Sequence, residues 1–248
     1  MILVLRGHIR NSFDNTNLLK LLKRIIMNIP DIKIYIHTWK EKSNKISWRN
    51  NNRNNSINIT TSNEITEDYI LDYFKDINKY IKKIFIENDN NIELYGDLSG
   101  NISASKAPKK GWKNYIYGCY SITNYLYENL DNKDETIISF RFDILDIKIN
   151  NSLIFNFNSI VNFINTHGRE NTTKLNIKYP IEIIKIEKKM GVDNIYIGSL
   201  ENIYKLLNYL NFNLDELLEE NKGVIHQEHL FLIASNKLYK IPKLQMAF

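Results

Sequence analysis

The chain has 248 residues, 43% of them hydrophobic and 25% charged, a balance that excludes a wholly disordered chain and gives enough length for one sizeable core. Lys and Arg number 33 against 28 Asp and Glu, so the net charge is 33 − 28 = +5. This excess is too small and too evenly spread to predict a nucleic-acid surface.

Cys119 is the single cysteine, which excludes an internal disulfide and a cysteine-built zinc centre. No apolar run approaches the ~18 residues of a membrane span. Met1 to Leu5 has no basic flank before it and reads as a buried strand, not a signal peptide. A cytoplasmic protein is therefore expected. With no internal repeat and no linker, residues 1–248 are expected to form one domain.

Ile2–Leu5 predicts the first strand, closed by Arg6-Gly7-His8. Asp14, Asn15 and Thr16 offer caps for a helix whose Leu18, Leu21, Leu22, Ile25 and Ile26 recur at helical spacing. Pro30-Asp31 ends it, and Ile32–Ile36 predicts a strand closed by His37-Thr38-Trp39. This strand–helix–strand order suits a parallel α/β sheet. Asn50–Asn55 reads as a polar loop. Thr66 opens a helix with Ile70, Tyr73, Phe74 and Ile77 on one face, and Lys83–Ile86 predicts a third strand. Residues 88–110 read as a long loop, a length that is usually functional or disordered.

Trp112–Leu130 predicts a helix with Ile116, Cys119, Ile122 and Leu126 inward, and Thr136–Phe140 a strand ending at Arg141-Phe142-Asp143. Asn194–Ile197 predicts a strand, Ser199 caps a helix to Leu210, and Leu214–Glu220 and His226–Ala234 predict two more helices. The predicted class is α/β, with a largely parallel central sheet flanked by helices.

Asn, Ile, Lys, Tyr and Phe are abundant, while the chain has only 9 Gly and 3 Trp. Gly, Arg and Trp cluster at Arg6-Gly7 with Arg10, at Trp39, at Trp48-Arg49, at Gly111-Trp112, at Arg141 and at Gly168-Arg169. Such clusters mark either a site or turns and core. In open α/β sheets ligands bind beyond the carboxyl ends of the strands. Arg6, Gly7, His8, Arg10, Thr38, Trp39 and Asp143 each sit near such an end and are expected around one cleft. Guanidinium groups there suit an anion such as phosphate. No glycine-rich dinucleotide turn and no P-loop is present.

Asp143 at a strand end can hold Mg²⁺ or Mn²⁺, which take oxygen ligands. The alternative is a structural pair between Arg141 and Asp143. His226 and His229 share one helix face and can bind a metal or sit as polar residues at a helix start. Lys106, Lys109 and Lys110, before Gly111-Trp112-Lys113, form either a loop facing phosphate or a solvated one. Cys119 reads as core, not nucleophile.

The segments Leu5–Arg10, Ile34–Trp39, Gly111–Asn114 with Tyr117, Ser139–Asp143, Ile195–Ser199 and Glu228-His229, in that order, resemble GT-A-type nucleotide-sugar glycosyltransferases of bacterial polysaccharide loci and large DNA viruses. The resemblance implies a GT-A-like fold and transfer of a sugar from a nucleoside-diphosphate sugar to a glycan or other hydroxyl acceptor. It implies donor contacts at Arg6, Gly7, His8, Arg10, Thr38, Trp39, Lys113 and Arg141, and Mn²⁺ or Mg²⁺ at Asp143 with His229. Asp193 and Glu228 are the candidate bases for the acceptor hydroxyl. In the family's Asp-x-Asp metal motif the first position is a carboxylate; here it is Arg141, which leaves Asp143 alone. Two alternatives remain: another phosphate-handling transferase, needing a carboxylate pair such as Asp143 with Asp146, and a non-enzymatic glycan- or nucleotide-binding module.

Overall fold

The structure is a computed structural model, and it describes residues 1–42, 64–102, 107–146, 148–149, 152–153, 155–168, 193–224 and 227–239. The polar loop expected at Asn50–Asn55, and Trp48, Arg49, Lys106, Arg169 and His226, lie outside the described residues. The central sheet has five strands: β1 (Ile2–Arg6), β2 (Lys33–Trp39), β3 (Ile81–Glu87), β4 (Thr136–Arg141) and β7 (Ile195–Ser199), in spatial order β3-β2-β1-β4-β7. The first four run parallel, and β7 lies antiparallel against β4 at the edge. β5 (Lys148–Ile149) and β6 (Ser152–Leu153) form a separate small hairpin.

Alternation along the strands divides the core into two layers. Leu3, Leu5, Ile34, Ile36, Ile138 and Phe140 face one side, where α1 (Asn17–Asn28), α2 (Glu67–Tyr73) and α4 (Phe157–His167) cover them. Ile2, Val4, Tyr35, Ile137 and Tyr196 face the other, under α3 (Lys109–Asn129), α5 (Leu200–Glu220) and α6 (Gln227–Tyr239). The chain winds outward from β1 to β2 and β3 with its helices on one face, then returns to β4 through α3 on the opposite face. The strand order therefore reverses between β1 and β4, and a crevice opens there at the carboxyl ends.

Several boundaries differ from those expected. β2 and β4 run on through Trp39 and Arg141, because their carboxyl-end residues keep full ladder pairing with β1 and β3. α3 starts at Lys109, just after Pro108, which has no N–H to satisfy. The two helices expected over Ser199–Leu210 and Leu214–Glu220 are one helix with a kink at Asn213, whose amide donates to the Tyr209 carbonyl at 3.0 Å and bridges the break. α4 was not expected, although Phe157, Ile160, Val161 and Ile164 carry its apolar stripe. Among the described residues no helix is long and apolar enough to cross a membrane.

Candidate active site

The turn after β1 is built by Gly7, whose φ of 92° lies in the left-handed region open to glycine. Its N–H donates to the His37 carbonyl at 3.1 Å, and its own carbonyl accepts from Thr38 Oγ1 at 3.0 Å. Thr38 is thus a tie between the ends of β1 and β2. Arg10 also adopts a positive φ, 50°, which costs a non-glycine residue about 1 kcal/mol, and its side chain reaches Asp143 just past β4.

A cavity of about 280 Å³ lies in the crevice, lined from the end of β1 by Arg6, from the turn after it by Gly7, His8 and Arg10, from β2 by Trp39 and from β4 by Arg141. Trp112, Asn114, Tyr115 and Gly118 close it from α3, and Gln227 from α6. α3 reaches this depth because residue 118 has no side chain. A Cβ there would stand 2.8 Å from His37 Cε1 and 3.2 Å from Trp39 Cζ2. His37 meets Trp39 edge-on with ring centres 5.1 Å apart, and its Nε2 pairs with Glu87 at 2.6 Å.

The charged residues fall into two roles. Arg6 is 1% exposed, and its Nε donates to Ser139 Oγ at 2.8 Å and its Nη1 to Tyr115 Oη at 2.6 Å, while Nη2 reaches the Asp193 carbonyl. Its plane lies 5.0 and 5.3 Å from the Tyr196 and Tyr115 ring centres. It pins the floor of the cavity. Arg10 and Arg141 instead share Asp143. Arg141 grips both carboxylate oxygens at 2.8 Å, and Arg10 Nη1 meets one of them at 2.7 Å. Arg141 Nη1 also reaches Asn194 Oδ1 at 3.1 Å. Burial opposes the charge of Asp143, but the fields of Arg141 and then Arg10 override it and hold the carboxyl below the usual range.

Asp143 therefore makes the structural pair with Arg141 that was the alternative to a metal ligand. A dication on Asp143 would meet two guanidiniums, each repelling it at ~4 Å by roughly twice the ~4 kcal/mol felt by unit charges there. Asp146 is exposed in the following turn. The described groups around Asp143 do not fit Mn²⁺ or Mg²⁺. Lys113 is buried away from the cavity wall; its Nζ binds the Tyr95 carbonyl at 2.6 Å and Asp215 at 2.7 Å, holding the loop before α3 against α5. Asp193 is 3% exposed, and its carbonyl takes the Arg6 and Tyr115 donors. His229 lies half-buried on α6, and the side chain of Glu228 lies outside the described residues.

His8 is kept neutral. Burial first, and then the neighbouring Arg10, push its pKa down to about 4, against a smaller opposing hydrogen bond with the Glu41 backbone. Five lining residues carry a buried polar atom with no hydrogen-bond partner among the described residues: His8 Nδ1, Arg10 Nε, Trp112 Nε1, Asn114 Oδ1 and Gln227 Nε2. Each such atom costs about 1–3 kcal/mol if left dry. Donors and acceptors are mixed, beside the Trp39 ring. Trp112, Asn114, Tyr115 and Gln227 are not among the expected donor contacts; the scarce Gly111-Trp112 pair and the Gly111–Asn114 segment point to the first two, and nothing in the sequence points to Tyr115 or Gln227.

No family model, curated protein or solved structure matches the chain.

Proposed function

We propose that the crevice binds the diphosphate and sugar of a nucleoside-diphosphate sugar, and that the protein transfers that sugar to a hydroxyl acceptor. The observation that supports this most is the ring of five unpartnered buried polar atoms around a cavity at the strand-order reversal. A polyhydroxyl group with an attached anion supplies acceptors for Arg10 Nε and the Trp112 indole, and hydroxyl donors for Asn114 Oδ1 and the neutral His8. Trp39 offers a flat apolar face beside them. During transfer negative charge builds on the departing diphosphate. Guanidinium groups fixed in place before the reaction stabilise that charge without reorganisation. The proposal contains no metal step, because Asp143 is already gripped by two arginines.

One observation favours a second reading, a nucleotide- or glycan-binding module without catalysis: the described residues lining the cavity include no carboxylate to act as base. Trp39 and Trp112 line the cavity, so intrinsic fluorescence reports its occupancy. A panel of nucleoside diphosphates and nucleotide-sugars is titrated, and release of nucleoside diphosphate is followed with hydroxyl acceptors present. Binding with release supports the transferase. Binding without release under every acceptor tried favours the module. No response to any nucleotide or sugar refutes both.

A further inference from the structure

We infer that Arg10 and Arg141 form a metal-free cradle for a diphosphate, with Asp143 as the counter-charge that holds the two guanidiniums side by side. The inference rests on the nucleotide-sugar reading only for what carries the diphosphate.

Two like charges repel each other, and an anion between them offsets that repulsion. Asp143 fills that place from inside the protein, accepting three N–H groups at 2.7–2.8 Å. The two guanidiniums have ten N–H donors. Among the described residues four are engaged, three by Asp143 and one by Asn194. The others belong to side chains 29% and 22% exposed, on residues that both line the cavity. Arg10 Nε is buried and has no partner among the described residues. The geometry is that of forked donors presented to an oxyanion.

The charge balance agrees. Arg6, Arg10 and Arg141 all line the cavity, and its described lining residues include no carboxylate, so the wall presents positive charge. A divalent cation has no favourable place in that field. A diphosphate has, and the two arginines then do what a metal does elsewhere, neutralising the bridging oxygens.

The test measures binding of inorganic pyrophosphate and of nucleoside diphosphates by calorimetry, in excess chelator and again in Mn²⁺. Both probes are expected to bind in chelator, with Mn²⁺ changing the affinity by less than about threefold. Arg10→Lys and Arg141→Lys each lose a forked donor pair and are expected to weaken both probes by about tenfold or more. Asp143→Asn removes a negative charge and no donor, so binding in chelator should persist within about threefold or tighten. Circular dichroism checks each variant; Arg10, on the more exposed loop, carries the test if Arg141→Lys fails to fold.

Binding that needs Mn²⁺ and is lost in Asp143→Asn overturns the cradle and leaves the nucleotide-sugar reading standing. Nucleoside diphosphate binding that is indifferent to both lysine variants overturns it equally. If neither probe nor any nucleotide-sugar binds under either condition, both readings fall.

Discussion

Arg6 is the last residue of the first strand and Arg10 lies in the turn after it, and the two should respond to substitution in opposite ways. Replacing Arg6 by Met keeps most of the stem volume and removes the guanidinium. Ser139 Oγ, Tyr115 Oη and the Asp193 carbonyl each lose a charged donor in a site 1% exposed. Hydrogen bonds from a charged group contribute about 1.5–3 kcal/mol each, so three set an upper bound of roughly 4.5–9 kcal/mol. Relief of the guanidinium's own desolvation offsets part of this, which brings the expected loss to about 3–5 kcal/mol, as for other broken buried charge networks. For a chain of this size that is a drop of roughly 6–20 °C in melting temperature. Urea unfolding followed by circular dichroism measures the loss, and fluorescence titration of nucleoside diphosphate measures the cavity. Arg6→Met should be much less stable while the folded fraction still binds. A variant as stable as the parent to within about 1 kcal/mol, with binding abolished, would show that Arg6 meets the ligand and does not brace the floor.

Acid should weaken the fold through His8. Its folded pKa of about 4 lies below the unfolded value of ~6.5, so the unfolded chain takes up the proton first and stability declines as pH falls from ~6.5 toward 4. The contribution is at most about 3 kcal/mol, and His8→Gln should flatten that stretch of the stability–pH curve relative to the parent; an unchanged slope would remove His8 as the cause. Gly96 has a φ of 81°, and a Cβ there would overlap Asp215 Oδ2 and stand 2.8 Å from Lys113 Nζ. Gly96→Ala should therefore break the Lys113–Asp215 tie, cost about 1–3 kcal/mol, and speed hydrogen exchange in residues 88–102, with nucleotide affinity unaltered because Lys113 does not line the cavity.

The placement of the cavity was legible in the sequence, and the division of labour within it was not. Parallel strands bring their carboxyl ends to one edge, so Arg6, Gly7, Arg10, Trp39 and Arg141 had to converge once the strands were read correctly. In a chain poor in Gly and Trp, those residues with Gly111 and Trp112 mark half of the described wall. The roles depended on a boundary. Ending the first strand at Leu5 places Arg6 in a loop facing solvent and ligand. One more paired residue places it inside the sheet, on the face of Ile2 and Val4, beneath α3. Lys113 was misplaced in another way: neighbouring Trp112 and Asn114 line the cavity, but Lys113 points to Asp215, and sequence adjacency on a helix is a poor guide to a shared face. Asn211-Phe212-Asn213 read as a break because the Asn213 side-chain bond to Tyr209 that spans the kink has no sequence signature.

The same reasoning explains why Asp143 read as a metal ligand. A lone carboxylate at a strand end looks available when only its own segment is considered. Its occupancy is decided by Arg10, 133 residues away in sequence, which the fold returns to within 2.7 Å. Buried ion networks are no better for stability than well-packed apolar residues of similar size, because desolvation opposes the Coulomb gain. Three arginines and two aspartates beside one cavity are thus an inefficient way to hold a sheet edge together. They would be an efficient way to keep positive charge fixed and partly dry for the proposed oxyanion, since the Asp143 counter-charge offsets the mutual repulsion of Arg10 and Arg141. On stability grounds alone Arg10 would also not be held at a positive φ. Strain at Arg10, donors without a partner among the described residues and guanidiniums on the cavity wall coincide at the strand-order reversal, and the proposed oxyanion would meet those donors and that charge together.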